Sequence, residues 1–208
     1  MSVLRSGAVG VSWARRLLQA RPLFLDTETT GDDARAEVVE VAVVVDDGVV
    51  LLETLVRPQS PVTALASAVH GIGEETLAGA PSLPVVWPHL SQLLGGRTVV
   101  TYNAAFDRQV LEQSAARYDL PPLNTDWVCL METYASLTGR SRVISLSAAS
   151  YENGIIRREA HRAVADARAT LALLAAMASG RAGPSRAGLS CASSQTNDLG
   201  DRWSVLRA

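Results

Sequence analysis

Residues 22–57 hold three strand-length apolar segments in close succession, and this run constrains the fold more than any other part of the chain. The first, 22–27, reads as a buried strand, and the second, 37–45, is rich in valine, as strands prefer. Asp46-Asp47-Gly48 supplies a tight turn, so the third segment, 49–57, pairs back on the second as a hairpin before Pro58 and Pro61 end it. Strands joined this closely form an antiparallel meander, whose apolar side must be covered by something else in the chain.

The rest of the chain supplies the cover. Helical spacing takes over at 84–94, a fourth short strand follows at 97–101, and a well-patterned helix spans 104–118 until Pro121 and Pro122 stop it. A further helix starts near Ser145 or Ser147, both good N-caps, and closes at Gly154. A last helix runs over 162–178. Strands first and alternation later predict an α/β fold: a mixed sheet, three antiparallel strands then parallel ones, flanked by helices.

With 208 residues the chain fits one domain plus tails. The expected division is an N-terminal helical extension at 1–20, a folded domain at 21–179 and a mobile tail at 180–208. The first 25 residues carry Arg5, Arg15, Arg16 and Arg21 without an acid, superficially like an organelle transit peptide. Arg5, Gly7 and Gly10 interrupt any secretory apolar stretch, and the preferred reading is a short helix at 13–20 packed on the domain edge. Gly, Ser and Arg dominate the tail, which shows little apolar periodicity. Trp203, Val205 and Leu206 within it suggest a docking motif, although an inert tail is the simpler reading.

Composition narrows the function classes. An apolar fraction of 48% beside 19% charged residues argues for a globular chain, and no apolar run is long enough to cross a bilayer. Cys129 and Cys191 are isolated and form no CxxC pair, so a cytoplasmic protein with two ordinary thiols is expected. A net charge of −2 excludes a surface coated in positive potential for tracking long nucleic acid. It leaves room for an enzyme that grips a chain end, with Arg157, Arg158, Arg162 and Arg168 either contacting phosphates or forming a solvated face.

The informative residues are acids placed on buried faces. Alternation along the first strand puts Phe24, Asp26 and Glu28 on one side and Leu23, Leu25 and Thr27 on the other. On the last helix Asp166 shares a stripe with Thr170, Leu173 and Met177, and on the earlier one Asp107 shares a stripe with Val110, Leu111, Ser114 and Tyr118. Burying one ionised carboxylate costs several kcal/mol unless a cation compensates. Arginine partners are one solution; four acids converging from three elements also suit a pair of hard divalent cations with oxygen ligands. His161, five residues before Asp166, would point about 140° away inside a regular helix, so it belongs to the entering loop. From there an imidazole, with an ordinary pKa near 6.5, is suited to take a proton from water.

Together these residues resemble the motifs of the DEDD exonuclease superfamily, in its histidine-containing branch. Phe24-Leu25-Asp26-Thr27-Glu28-Thr29-Thr30-Gly31 is similar to the first motif, Tyr102-Asn103-Ala104-Ala105-Phe106-Asp107 to the second, and His161-Arg162-Ala163-Val164-Ala165-Asp166-Ala167 to the third. Val69-His70-Gly71-Ile72 is similar to a segment between the first two. The resemblance spans about 22–178. It implies a ribonuclease-H-like fold, two Mg²⁺ or Mn²⁺ ions, and stepwise release of nucleoside 5'-monophosphates from a single-stranded or frayed 3' end.

By position, the resemblance assigns Asp26, Glu28 and Asp166 to the ion that binds the attacking water, Asp26 also bridging to a second ion served by Asp107, and His161 to deprotonating the nucleophile. It assigns Asn103 and Phe106 to the terminal-nucleotide pocket, and His70, Gly71 and Ile72 to the final base or sugar; Thr27 and Thr29 lie where backbone amides hold the terminal sugar. Asp32 and Asp33 depart from the apolar residue many members carry after the first motif. The resulting expectation is an exonuclease acting on DNA ends in proofreading or repair, with a polymerase or repair partner. An RNA-trimming enzyme or oligoribonuclease is the rival within the same chemistry, and a non-catalytic binding module the rival outside it.

Overall fold

Burial of every residue of the first strand sets the layers of the molecule. The computed structural model describes residues 3–183. Within them β1 (Leu23–Thr29) is covered on both faces, so its alternating side chains belong to two different cores. Phe24 packs with Val100, Leu130, Leu173 and Leu174, whereas Leu23 and Leu25 pack with Trp87, Leu90, Val99 and Leu111. Fully burying each of these side chains stabilises the fold by about 1.5–3 kcal/mol.

β2 (Val38–Val44) and β3 (Val50–Leu55) follow as the expected meander, β1 pairing antiparallel with β2 and β2 antiparallel with β3. The register sets Asp26 opposite Ala42 and Glu28 opposite Glu40, with an irregularity between Glu28 and Thr29. β4 (Thr98–Thr101) and β5 (Asp126–Cys129) extend the other side of β1 in parallel, giving the order β3-β2-β1-β4-β5. The predicted mixed sheet is therefore present, with β1 at its centre.

Helices cover both faces. One layer contains α4 (Leu83–Leu94) and α5 (Ala104–Ala116). The other contains α1 (Val3–Gln19), α6 (Leu130–Leu137), α7 (Leu146–Glu152) and α8 (Ala163–Ala178), the last lying across β1 and β2. α2 (Ala64–His70) and α3 (Glu74–Leu77) cross from β3 towards α4. Thr63 caps α2, its hydroxyl accepting from the Ala66 amide, and Gly71 ends it at φ 72°, a left-handed conformation suited to glycine. Ser145, not Ser147, caps α7 through the Ala148 amide.

Three differences from the sequence expectations have local causes. α1 is much longer than 13–20: ahead of the expected segment, Gly10 lies against Leu137 and Val11 against Gly180, while Ala14, Leu17 and Leu18 continue the apolar core and the Arg15 Nε donates to the Ala178 carbonyl at 2.9 Å. β5 and α6 fall in a stretch not assigned from the sequence; β5 has four residues and is defined by its parallel pairing with β4, not by alternation. α2 and α3 are too short for a helical period to register. The expected tail from 184 onward, with Cys191, Trp203, Val205 and Leu206, lies outside the described residues. No helix of the described residues is long and apolar enough to cross a membrane.

Candidate active site

Two strand residues and one helix residue bring three carboxylates together. Asp26 and Glu28 leave β1 on the side facing α8, and Asp166 in the first turn of α8 meets them there. Ligand oxygens of the three lie within 4.8 Å of one another, and all three residues are buried. At that separation each pair of like charges repels by roughly 3 kcal/mol at an effective dielectric near 20. Such a grouping needs compensation, by a cation or by a proton shared among the acids.

Part of that compensation comes from Arg157, whose side chain is only 7% exposed. Its Nη2 donates to both Asp166 oxygens at 2.6 Å, its Nε to one of them at 3.2 Å, and its Nη1 to the Ser147 hydroxyl at 2.5 Å. A guanidinium thus stands against the acid cluster as a substitute cation. The donor set is made of hard carboxylate oxygens and includes no thiolate, which fits Mg²⁺ or Mn²⁺ rather than a softer metal.

Asp107 arrives from the opposite layer, in the first turn of α5. It is held by Thr27, the β1 residue between the two acids, whose hydroxyl donates to Asp107 at 2.9 Å. Asp107 stands outside the three-acid group yet lines the same pocket as Asp26, Asp166, Asn103, Tyr102 and His161. Burial pushes the Tyr102 phenol well above its usual range, and its hydroxyl donates to the Ile144 carbonyl at 2.7 Å. Tyr102 therefore stays neutral and serves as a wall of the pocket, not as a base.

His161 lies in the loop entering α8, as its spacing requires, and its φ of 63° is left-handed, uncommon for any residue but glycine. What fixes this loop is a residue sequence reasoning missed. Glu40 on β2, 1% exposed, accepts from the Ala163 amide at 2.9 Å and from Arg162 Nε and Nη2 at 3.1 and 2.5 Å. It caps α8 from a neighbouring strand, satisfying an amide that has no partner within the helix and placing negative charge at the positive end of the helix dipole. The hydrogen bond from Arg162 to Glu40 raises the guanidinium's pKa further, against a smaller opposing effect of burial. A glutamate in the middle of a valine run, on the face of Glu28, was the available signal.

The expected substrate contacts separate. Asn103 lines the pocket, and Phe106 is half-buried on α5. The hydroxyls of Thr27 and Thr29 are turned inward, to Asp107 and to the Gly31 carbonyl at 2.6 Å. The His70 ring braces the end of β1: Nδ1 accepts from the Ile72 amide at 3.0 Å, which leaves Nε2 to donate to the Thr29 carbonyl at 3.1 Å. Ile72 is buried in a small core with Val39, Leu77 and Ala80. Of the arginines expected either at phosphates or on a solvated face, three have protein partners. Arg157 binds Asp166, Arg162 binds Glu40, and Arg168 reaches the Gly48 carbonyl on the β2–β3 turn, while Arg158 remains exposed.

Comparison with known proteins agrees with this architecture. The exonuclease family model RNase_T matches residues 23–174. An uncharacterized exonuclease, CP81, of Escherichia phage 186 is 34% identical over 182 residues, covering 81% of this chain and 94% of its own. Exodeoxyribonuclease 10 of Escherichia coli K12 is 36% identical over 112 residues, 52% of this chain, and the match spans only 44% of that longer protein. Among solved structures, exonuclease X in complex with 5' overhanging duplex DNA superposes with a TM-score of 0.59 at 30% identity, covering 74% of this chain and 89% of the other. A fold built around β1, acids from three elements at its end and a family match across the whole sheet lead to one conclusion: the chain belongs to the RNase_T exonuclease family.

Proposed function

We propose that this exonuclease is a metal-dependent 3'→5' enzyme that releases nucleoside 5'-monophosphates from DNA ends, using Asp26, Glu28, Asp107 and Asp166 as ligands and His161 as base. The observation that carries the reading is the gathering of Asp26, Glu28 and Asp166 within 4.8 Å, with Asp26 and Asp166 lining one pocket together with Asp107 and His161. Divalent ions, when bound, neutralise charge on the attacking and leaving oxygens of an in-line displacement.

The chain's own residues divide the remaining work. Asp26, Glu28 and Asp166 would hold one cation and Asp107 would serve a second, the Thr27 hydroxyl fixing the aim of Asp107. His161 removes the proton of the attacking water, a role that its place at the entrance of α8 and on the pocket wall supports. Asn103 and Phe106, one on the pocket wall and one on the adjoining turn of α5, flank the terminal nucleotide. The naming of one relative as an exodeoxyribonuclease and the duplex DNA bound by another favour DNA over RNA as substrate. A net charge of −2 favours a brief grip on a chain end, with a polymerase or repair partner delivering it in the cytoplasm.

A time course on 5'-labelled DNA and RNA oligomers of one sequence, single-stranded, duplex and 3'-mismatched, tests this reading. With Mg²⁺ or Mn²⁺ the DNA is expected to shorten from its 3' end in single-nucleotide steps, and chelation to stop it. Internal fragments, or trimming confined to RNA, would contradict it.

A further inference from the structure

We propose that Arg157 is a displaceable cation: it holds Asp166 until a divalent metal takes the carboxylate, then turns to the phosphate of the bound nucleotide, so that metal and nucleotide bind cooperatively. This rests on the metal-site reading above and adds to it a coupling between two ligands.

The geometry makes Arg157 and a metal competitors. Its Nη2 donates to both oxygens of Asp166 at 2.6 Å, so the guanidinium covers the donor atoms that a cation shared with Asp26 and Glu28 would need. A divalent cation there would bring two positive centres against one carboxylate, and their repulsion in a buried site weakens each one's hold on it. Metal binding is therefore strengthened when Arg157 lets go.

Release is built into how the side chain is held. Its other anchor is a neutral hydroxyl, Ser147 at 2.5 Å, so on leaving Asp166 the guanidinium keeps a tether on α7 and stays within the pocket. The residue sits between α7 and α8 in a segment with no helix or strand, where Ile156 is exposed and both Glu159 and His161 are left-handed. A shift there breaks no backbone ladder. Asp26, Asn103 and His161 line the same pocket, where a phosphate held by the acid-bound cations would lie. A guanidinium recognises phosphate as it does carboxylate, through paired N–H donors.

Reciprocity follows. A metal that takes Asp166 leaves Arg157 without its carboxylate, and a nucleotide phosphate restores a partner; a phosphate that draws Arg157 away frees Asp166 for the metal. Each ligand then raises the other's affinity by the same factor.

Calorimetric titration of the full chain with Mn²⁺, with and without thymidine 5'-monophosphate, tests this in wild type, Arg157→Gln and Arg157→Lys. Without nucleotide, Arg157→Gln is expected to bind Mn²⁺ about tenfold more tightly than wild type, within the usual 5–150-fold range of coupling between sites. The nucleotide is expected to tighten Mn²⁺ binding clearly less in Arg157→Gln than in wild type, with Arg157→Lys between the two in both respects. Should Arg157→Gln fail to fold by thermal melting, Arg157→Lys against wild type decides the same two comparisons. Equal or weaker Mn²⁺ affinity in the variants, or an unchanged nucleotide effect, would overturn the displacement proposal while leaving the metal site standing. Absence of Mn²⁺ binding by wild type would instead remove the metal-site reading and this inference with it.

Discussion

Asp26, Glu28 and Asp166 were readable as unusual because each is an acid at a position whose strand or helix period demands an apolar residue, and each is buried where the period puts it. Arg157 was not readable in the same way: it lies in an irregular loop, and nothing in the sequence shows that it reaches the carboxylate of Asp166, nine residues further on. Ile72 was ambiguous for the opposite reason, since an apolar residue beside a motif looks the same whether it faces substrate or core, and it is buried with Val39, Leu77 and Ala80. At this scale the role of His161 has a direct test. His161→Ala is expected to lower turnover by about 10²–10⁴-fold, the usual worth of a positioned base, while leaving Mn²⁺ affinity within a few-fold of wild type. Equal turnover in the variant, measured at saturating substrate and metal, would remove the histidine from the chemistry.

Elements were legible wherever the period was long enough to count. The meander, α4, α5, α7 and α8 agree with expectation to within a few residues, whereas β5, α2 and α3 are short and owe their form to tertiary neighbours. At the junction between β2 and α8, Glu40 joins a strand to a helix end and fixes the loop that carries His161. Glu40→Ala is expected to destabilise the protein by about 1–2 kcal/mol: the loss of a helix cap, with the ion pair contributing less because the Arg162 side chain is 41% exposed. Urea unfolding measures the stability. Turnover is expected to fall more than the Michaelis constant rises, and Arg162→Ala added to Glu40→Ala is expected to cost little more than Glu40→Ala alone. Full additivity of the two changes, or unaltered turnover in Glu40→Ala, would separate Glu40 from the positioning of the loop.

At the scale of the whole molecule, the sheet order β3-β2-β1-β4-β5 explains why the site forms where it does. A central strand covered on both faces can send Asp26 and Glu28 to one helix layer and Thr27 to the other, so that α8 and α5 each bring an acid to the same strand end. The α/β class and the mixed pairing followed from the spacing of apolar segments, but the extent of α1 and its packing on α8 depended on contacts far apart in the chain. If these acids form one metal-dependent site, asparagine at any of them must slow nucleotide release. Asparagine keeps a hydrogen-bonding side chain beside Arg157, whereas alanine at Asp166 would remove that partner and leave the buried guanidinium its bond to the Ser147 hydroxyl without a paired carboxylate. With a 5'-labelled DNA oligomer and Mn²⁺, folded Asp26→Asn, Asp107→Asn and Asp166→Asn are each expected to release nucleotides at least about a hundredfold more slowly than wild type. Wild-type rates in any one of these folded variants would contradict the account.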